Sequence, residues 1–271
     1  MFGINLDYFT KYTDTKTAVE NIKKAGFAYL DYTPNLADDN WETMMKEDKK
    51  IFDDIGLTVH QTHAPYYIFY TEEEHRKLMD RCMEATSFLG AKYVAVHGNR
   101  FEREKYTYSP EIALPYNTEY FTPFVQEAEK RGFKLAFENL FGDEGSGPQF
   151  CSFADELLAL IKSFNSKSAV CCWDFGHANI TMRETQAEDL LKLGSLVECT
   201  HIHDNPWTDS HQLPMTGDIK WDEMMASMKK IGYHGVWSIE YSHGHIPDEL
   251  LLDYLTFTKK TVEHLYALCH R

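Results

Sequence analysis

The sequence predicts an α/β fold, a single (β/α)₈ TIM barrel in which residues 1–271 form one domain. The length suits one barrel of this kind. Short apolar runs of strand length alternate with amphipathic runs of helix length, and no linker rich in proline, glycine or serine divides them. A glycine-rich dinucleotide-binding fingerprint is absent from the sequence, which favours a closed barrel over a doubly wound sheet.

Eight runs have the length and composition of buried parallel strands, because most are apolar along their whole length. They are Gly3–Leu6, Ala28–Tyr32, Thr58–Thr62, Tyr93–His97, Lys134–Glu138, Ala169–Asp174, Val197–His203 and Gly235–Glu240. One helix between them is predicted to begin at Thr71, which has capping-box spacing to Glu74. Lys24–Phe27, Lys130–Phe133 and Lys230–Tyr233 each contain a glycine where a helix is expected to end in the left-handed conformation.

Composition narrows the classes of function and location. The formal net charge of −15 argues against a nucleic-acid partner, because affinity for phosphate backbones rests mainly on lysine and arginine. The six cysteines form no CxxC pair and are expected to be reduced, buried thiols. No apolar run is long enough for a membrane span, and Asp7 and Lys11 interrupt the region where a secretory leader would be apolar. We therefore expect a cytoplasmic protein without membrane association.

Ionisable or metal-binding side chains stand at the ends of six consecutive predicted strands. The residues are His63, His97, Glu138, Asp174, the pair His201 and His203, and Glu240. A lone histidine at a strand end usually has a structural role, but in a barrel all six positions converge on one rim. Several carboxylates buried together would not all stay ionised without a cation, so a bound divalent metal is predicted.

The proposed ligand types restrict the metal. Two glutamates, an aspartate and imidazole form a hard, oxygen-rich site, unlike a thiolate site for structural zinc. Mn²⁺ is favoured, and Zn²⁺, Co²⁺ and Mg²⁺ fit the same donors.

In these strand-end motifs the sequence resembles the xylose isomerase-like TIM-barrel superfamily, which contains sugar phosphate isomerases and epimerases and the abasic-site endonucleases of AP endonuclease family 2. The resemblance covers nearly the whole chain. It is carried by His63-Ala64-Pro65, Val96-His97-Gly98, Phe137-Glu138-Asn139, Trp173-Asp174-Phe175-Gly176-His177, His201-Ile202-His203-Asp204-Asn205, Asp209-Ser210-His211, Gly217-Asp218-Ile219-Lys220-Trp221 and Ile239-Glu240. Each motif is weak alone, but the ordered set is specific.

The resemblance to the isomerases and epimerases implies one metal held by Glu138, Asp174, His201 and Glu240. His201 is preferred at the seventh strand because an acid, Asp204, follows it by three residues, and His203 is the alternative. In that group the two glutamates also form an acid/base pair, which removes a proton beside the substrate carbonyl and returns it through a metal-stabilised enediolate. The implied function is a divalent-metal-dependent isomerase or epimerase of a small sugar or related polyol ketone.

The resemblance to the endonucleases implies a larger metal cluster. His63, His97, His177, Asp209 and His211 match positions that bind additional metal there, and they are equally suited to binding substrate or to structural hydrogen bonds. The alternative function is therefore a metal-dependent phosphodiesterase of the abasic-site endonuclease type. A lyase or dehydratase, which begins with the same proton abstraction, and a non-enzymatic sugar-binding module remain further alternatives.

Substrate contacts are expected from residues near the strand ends. His177 matches a substrate-binding position, and His203, Tyr66 and Trp207 are predicted to contact a carbohydrate, although an aromatic residue at a barrel mouth is as often a packed lid. Two long loops, Asn99–Pro110 and Asp204–Gly217, should lie over the catalytic face. The sequence leaves homo-oligomer formation open, and aromatic residues such as Trp41, expected to be exposed, would suit an interface.

Overall fold

The computed structural model of this chain describes residues 1–99, 109–142, 149–242, 244 and 246–271. Within these ranges, eight short strands alternate with helices. The strands are β1 Phe2–Asn5, β2 Tyr29–Asp31, β3 Thr58–His63, β4 Tyr93–His97, β5 Lys134–Glu138, β6 Ala169–Asp174, β7 Val197–His201 and β8 Trp237–Ile239. The helices are α1 Asp7–Thr10, α2 Thr15–Lys24, α3 Trp41–Ile55, α4 Glu72–Leu89, α5 Pro110–Arg131, α6 Ala154–Ser163, α7 Phe175–Thr181, α8 Gln186–Leu193, α9 Trp221–Ile231 and α10 Asp248–Cys269.

The strands form one parallel sheet that closes into a barrel. Their order is β7-β6-β5-β4-β3-β2-β1-β8, so neighbours in the sheet follow the chain. Closure occurs just beyond β7, where Ile202 pairs with Ile239. The Ile202 amide donates to the Ser238 carbonyl over 2.9 Å, and the Glu240 amide donates to the Ile202 carbonyl over 3.0 Å. The predicted (β/α)₈ TIM barrel is confirmed.

The local signals in the sequence explain where helices begin and end. Thr71 and Glu74 form the predicted capping box at the start of α4. Gly26, Gly132 and Gly232, the glycines of the three four-residue segments named above, have φ values of 94°, 84° and 69°. This left-handed conformation is strained for residues with a Cβ, so glycine ends each helix and lets the chain turn into the next strand.

The core consists of a small cluster of side chains inside the barrel and a larger cluster that includes the helices. Small side chains of neighbouring strands pack inside the barrel, namely Ala95, Ala136, Val170, Cys172 and Cys199. Large side chains such as Phe137, Trp173 and Trp237 pack in the main core, which includes the helices. Cys171 lies in this outer core and Cys172 in the inner one, as their adjacent positions predict. All six cysteines are free and buried.

Several strand bounds differ from the prediction by one or two residues, and three differences bear on the site or on the surface. β7 ends at His201 instead of His203, because Asp204 pairs in antiparallel fashion with Gln212 of its own loop. β8 ends at Ile239, so Glu240 follows the strand. Trp41 is only 5% exposed, so the expectation that it is an exposed interface residue is wrong. Among the described residues, no helix combines the length and the apolar composition needed to cross a bilayer.

Candidate metal centre and active site

The carboxyl ends of the strands bring the predicted site residues together. His97 is the register partner of Glu138 on the next strand, and Asp174 is the partner of His201. Glu240 joins them because its amide bonds to Ile202 where the barrel closes. The nine predicted metal-binding residues form three groups whose ligand atoms lie within 4.8 Å of one another, with His203 added to one group. A fourth group of this kind joins the buried thiol of Cys172 to Glu138 and His201.

The first group consists of Glu138, Asp174, His201 and Glu240. Nδ1 of His201 lies 3.0 Å from Oε1 of Glu138, 3.1 Å from Oε2 of Glu240 and 4.0 Å from Oδ2 of Asp174. This nitrogen is buried and has no hydrogen-bond partner among the described residues. An imidazole nitrogen that faces three carboxylates at 3.0 to 4.0 Å fits a divalent cation between the four side chains.

A contact at the other ring nitrogen fixes the orientation of His201. Its Nε2 lies 3.1 Å from Oδ2 of Asp31, which also accepts a hydrogen bond from Nε2 of Gln61 over 3.0 Å. Asp31 is buried at the end of β2. A carboxylate on the far nitrogen of a metal-binding histidine holds the ring and raises its basicity. Asp31 was not among the predicted site residues, although it stands at the end of β2 as the predicted residues stand at the ends of their strands.

His203 lies behind the first group. Its Nε2 is 3.1 Å from each oxygen of Asp174, and its ring stacks on His211 with centroids 3.9 Å apart. A Cβ atom at Gly176 would stand 1.9 Å from Cε1 of His203, so glycine is required there. These contacts make His203 a support for Asp174, and it does not line the cleft described below.

The second group is His63, His97 and Glu138. Nε2 of each histidine lies 3.1 Å from Oε2 of Glu138. The two oxygens of Glu138 therefore serve different partners, since Oε1 faces His201 and Oε2 faces the second group.

The third group is His177, His203, Asp209 and His211. Oδ1 of Asp209 lies 3.1 Å from Nε2 of His211 and 3.6 Å from Nε2 of His177. Nδ1 of His177 is 3.4 Å from Oε1 of Glu138, which connects this group with the first. The additional residues thus come together as two flanking groups beside the first.

The loop Asp204–Gly217, which carries Asp209 and His211, is anchored by a buried carboxylate. Asp204 accepts hydrogen bonds from the amides of Asn205, Met215 and Ile219 and from Nε1 of Trp221, over 2.8 to 3.2 Å. A Cβ atom at Gly217 would lie 2.4 Å from Oδ1 of Asp204, so only glycine fits. These contacts hold the loop Asp204–Gly217 over the strand ends, where it was predicted to lie.

Carboxylates and imidazoles in the cluster shift one another's protonation. Burial opposes the charge on Glu138, but His201 and His97 outweigh it and lower the Glu138 pKa well below its usual value. Burial likewise opposes the charge on His63 and His177, yet Glu138 raises the pKa of His63 to about 9, and Asp174 and Glu138 raise that of His177 to about 10. Protons on imidazoles thus balance the buried carboxylates, a task that a divalent cation performs when it is bound.

A cleft of about 970 Å³ opens over the cluster. Among the predicted substrate-binding residues, Tyr66 and His177 line it, and Trp207 does not. Trp207 is 52% exposed and lies against the guanidinium of Arg183 at 5.1 Å.

The charged residues other than histidine in the lining are Asp7, Asp48, Glu138, Asp209, Glu240 and Lys11. The predicted loop after β4 has residues 100–108 outside the described residues.

Comparisons with known proteins agree with this architecture. A family model described as xylose isomerase-like TIM barrel matches residues 19–261. An uncharacterized protein of Methanocaldococcus jannaschii is 29% identical over 223 residues, covering 77% of this chain and 73% of that protein.

Two solved structures have the same fold. A D-tagatose 3-epimerase-like protein aligns with a TM-score of 0.78 and 24% identity, over 99% of this chain and 98% of the other. The IolI protein with a bound zinc atom aligns with a TM-score of 0.79 and 19% identity, over 98% of each chain. The family match spans most of the chain and includes every residue of the three groups, and the chain therefore belongs to the xylose isomerase-like TIM barrel family.

Proposed function

We propose that this protein is a divalent-metal-dependent isomerase or epimerase of a small sugar or related polyol ketone. The observation that carries the proposal is the convergence of Glu138 and Glu240 on the buried Nδ1 of His201, at 3.0 and 3.1 Å, below a cleft that both glutamates line. Two carboxylates at one buried point are suited to moving a proton on and off a carbon atom between them.

The proposed metal ligands are Glu138, Asp174, His201 and Glu240. Their oxygen-rich donor set with one imidazole favours Mn²⁺ and also suits Zn²⁺, Co²⁺ or Mg²⁺. The structurally similar IolI protein carries zinc in its solved structure. When bound, the metal supplies Lewis-acid polarisation of the substrate carbonyl and hydroxyl oxygens, which acidifies the neighbouring C–H bond.

The glutamates transfer the proton. One carboxylate removes it from the carbon beside the carbonyl, and the other returns it from the opposite face, so that epimerisation results. The histidines around Glu138 hold that carboxyl in its ionised form, as its lowered pKa indicates. His177 and Tyr66 line the cleft and are proposed to bind substrate hydroxyls, while His203 acts indirectly by positioning Asp174.

The substitution Glu240→Gln tests the proposal. It preserves shape and removes the base, so turnover should fall by about 10²- to 10⁴-fold while the fold survives. The readout is incorporation of solvent deuterium into a ketose, followed by nuclear magnetic resonance, with circular dichroism to check folding. Glu198→Gln is the control, because Glu198 pairs with Lys134 and does not line the cleft. Full activity in the Glu240→Gln variant would contradict the proposed role.

A second candidate, a metal-dependent phosphodiesterase of the abasic-site endonuclease type, is favoured by one observation. All nine residues of the implied larger cluster meet in three adjoining groups. The acidic cleft lining, with one lysine and no arginine among its described residues, opposes a DNA substrate. Incubation of the metal-loaded protein with abasic duplex DNA separates the candidates, and strand cleavage at catalytic rates would favour the phosphodiesterase. A lyase or dehydratase would be recognised by a dehydrated or cleaved product.

A further inference from the structure

The cleft extends well beyond the metal-binding groups. Its lining includes Pro34, Leu36, Ala37, Met44, Asp48 and Leu78 from the side of β2, and we call the part of the cleft beside these residues the outer lobe. Its walls come from the loop after β2 and from α3 and α4, all within the described residues. The six residues lie outside the three ligand groups, so the proposed chemistry leaves the lobe without a role.

The volume of the cleft exceeds what one sugar ring requires. At about 970 Å³ it lies near the upper end of the range of about 300–1,000 Å³ found for pockets that enclose drug-sized ligands. A free hexose is much smaller than such ligands. A hexose placed at Glu138 and Glu240 would therefore leave the outer lobe filled only with water.

The outer lobe is held in shape by hydrogen bonds from neighbouring elements. Thr33 ties the loop after β2 to β3, because its hydroxyl donates to the His63 carbonyl over 3.0 Å and accepts from the His63 amide over 2.6 Å. Nη1 of Arg81 on α4 donates to the Leu36 carbonyl over 2.7 Å. A lobe that is already formed binds its occupant at a smaller ordering cost.

The outer lobe combines apolar side chains with the carboxylate of Asp48, and the polar residues Tyr32, Thr33 and Asn35 line the cleft beside it. Leu36 and Leu78 pack into the core and, with Pro34 and Met44, present aliphatic surface to the lobe. Asp48 accepts a hydrogen bond from the Tyr32 hydroxyl over 2.6 Å, and its carboxylate has capacity for further donors. An aliphatic wall beside a carboxylate fits a sugar ring, which has an apolar face and hydroxyl donors, and disfavours an anionic group such as phosphate.

We propose that the substrate is a ketose that carries a second sugar ring, with the reacting ketose at Glu138 and Glu240 and the second ring in the outer lobe, where Asp48 accepts one of its hydroxyls. This inference rests on the proposed isomerase or epimerase function and names its substrate class. It makes Asp48 and the loop after β2 the determinants of specificity.

The test compares free ketoses with ketose disaccharides. Solvent-deuterium exchange catalysed by the Mn²⁺-loaded protein is measured on D-fructose and D-tagatose and on isomaltulose and lactulose, whose ketose units carry a second ring. We expect kcat/KM to be higher by about tenfold or more for a disaccharide, because contacts to an added group can discriminate by that factor.

Two variants locate the effect in the outer lobe. Ala37→Trp should lower kcat/KM for the disaccharide by about tenfold more than for the free ketose, since the indole occupies the lobe. Asp48→Asn should act in the same direction, because the amide is a weaker acceptor than the carboxylate. Ala267→Trp is the matched control, an equal enlargement at an exposed position of α10 outside the cleft.

The outcomes separate this inference from the function on which it rests. Exchange on free ketoses with no preference for disaccharides, or equal effects of Ala37→Trp on both substrate types, would overturn the inference and leave the proposed function standing. Exchange on neither type would overturn both. A disaccharide preference that survives Ala267→Trp and is lost in Ala37→Trp supports the inference.

Discussion

Histidines in two regions of the molecule respond to burial in opposite ways. At the strand ends, burial opposes protonation, but nearby carboxylates raise the pKa of His63 to about 9 and that of His211 to about 9. Away from the cluster, burial dominates and lowers the pKa of His60 and of His75 to about 4. His60 lies between the rings of Tyr29 and Tyr93, and His75 is bound to the Tyr120 hydroxyl and the Pro65 carbonyl.

The difference shows what the barrel mouth is built to hold. Burial is similar in the two regions, so the sign of the pKa shift follows from the carboxylates gathered at the strand ends. Even there the balance varies: His97 touches Glu138, but burial outweighs that contact and lowers the pKa of His97. A region that needs added positive charge for stability is a candidate cation site, whereas His60 and His75 are neutral structural groups.

The largest expected effect comes from removing the carboxylate that links the groups. Glu138→Gln should lower turnover by about 10²- to 10⁴-fold or more, because the residue is both a proposed ligand and a proposed base. It should also lower the pKa of His63, since the charge that raises it is gone. Deuterium exchange measures the first effect and histidine proton titration by nuclear magnetic resonance the second. An unchanged His63 pKa would contradict the conclusion that carboxylates raise the pKa values of histidines at the strand ends.

The next effect is the pH dependence of metal binding. A histidine ligand binds metal only when neutral, and the pKa of His201 lies well above its usual value without metal. Metal must therefore displace protons, and the apparent affinity should rise with pH by about tenfold per unit for each proton released. Calorimetric titration with Mn²⁺ between about pH 6 and 8, in buffers of different ionisation enthalpy, counts these protons. Affinity that is constant over this range would contradict the assignment.

His75, which burial keeps neutral, should make the free energy of unfolding fall in acid. Above pH 6.5, His75 is neutral in the folded and unfolded chains, so its contribution is complete; as the pH falls towards 4, the unfolded chain binds a proton that the folded chain does not. The free energy of unfolding should then fall by about 2 kcal/mol between about pH 7 and 5 because of this residue.

His75→Gln keeps one donor and one acceptor and cannot titrate, so it tests this expectation. Urea unfolding at the two pH values should show a smaller loss in the variant than in the wild type. His264→Gln, at an exposed position on α10, serves as the control. An identical loss in wild type and His75→Gln would show that burial does not keep His75 neutral.

The last expected effect concerns the residue that positions His201. Asp31→Asn weakens the contact to Nε2 of His201 and should reduce metal affinity by about 10- to 100-fold. Because Asp31 acts through His201, saturating metal should restore much of the turnover, which distinguishes positioning from catalysis. Asp53→Asn, at an exposed position on α3, is the control. Unchanged metal affinity in the Asp31→Asn variant would remove Asp31 from the site.

The sequence was sufficient for the barrel and for the meeting of the strand-end residues. Glycine at helix ends and apolar runs are local signals, and parallel strands bring their carboxyl ends together whatever the side chains are. The assignment of Glu138 and His201 to one metal came from the resemblance to the family, because strand-end positions alone do not say which residues share a metal.

Contacts set by packing could not be predicted. Alternation along a strand places His201 and His203 on the same face. The absence of a side chain at Gly176 leaves room for the His203 ring beside Asp174, which the sequence pattern does not show. Trp207 adopts a positive φ of 67° and lies against Arg183, away from the cleft. The outer lobe depends on how the loop after β2 bends, which no motif in the chain encodes.

The most direct test of the proposed function is solvent-deuterium exchange on ketoses with and without metal. The protein is stripped with a chelator, reloaded with Mn²⁺, and incubated in D₂O with the free ketoses and disaccharides named above. We predict deuterium at the carbon next to the carbonyl with the reloaded protein and none with the stripped protein. Absence of exchange from the reloaded protein with every ketose would contradict a metal-dependent isomerase or epimerase.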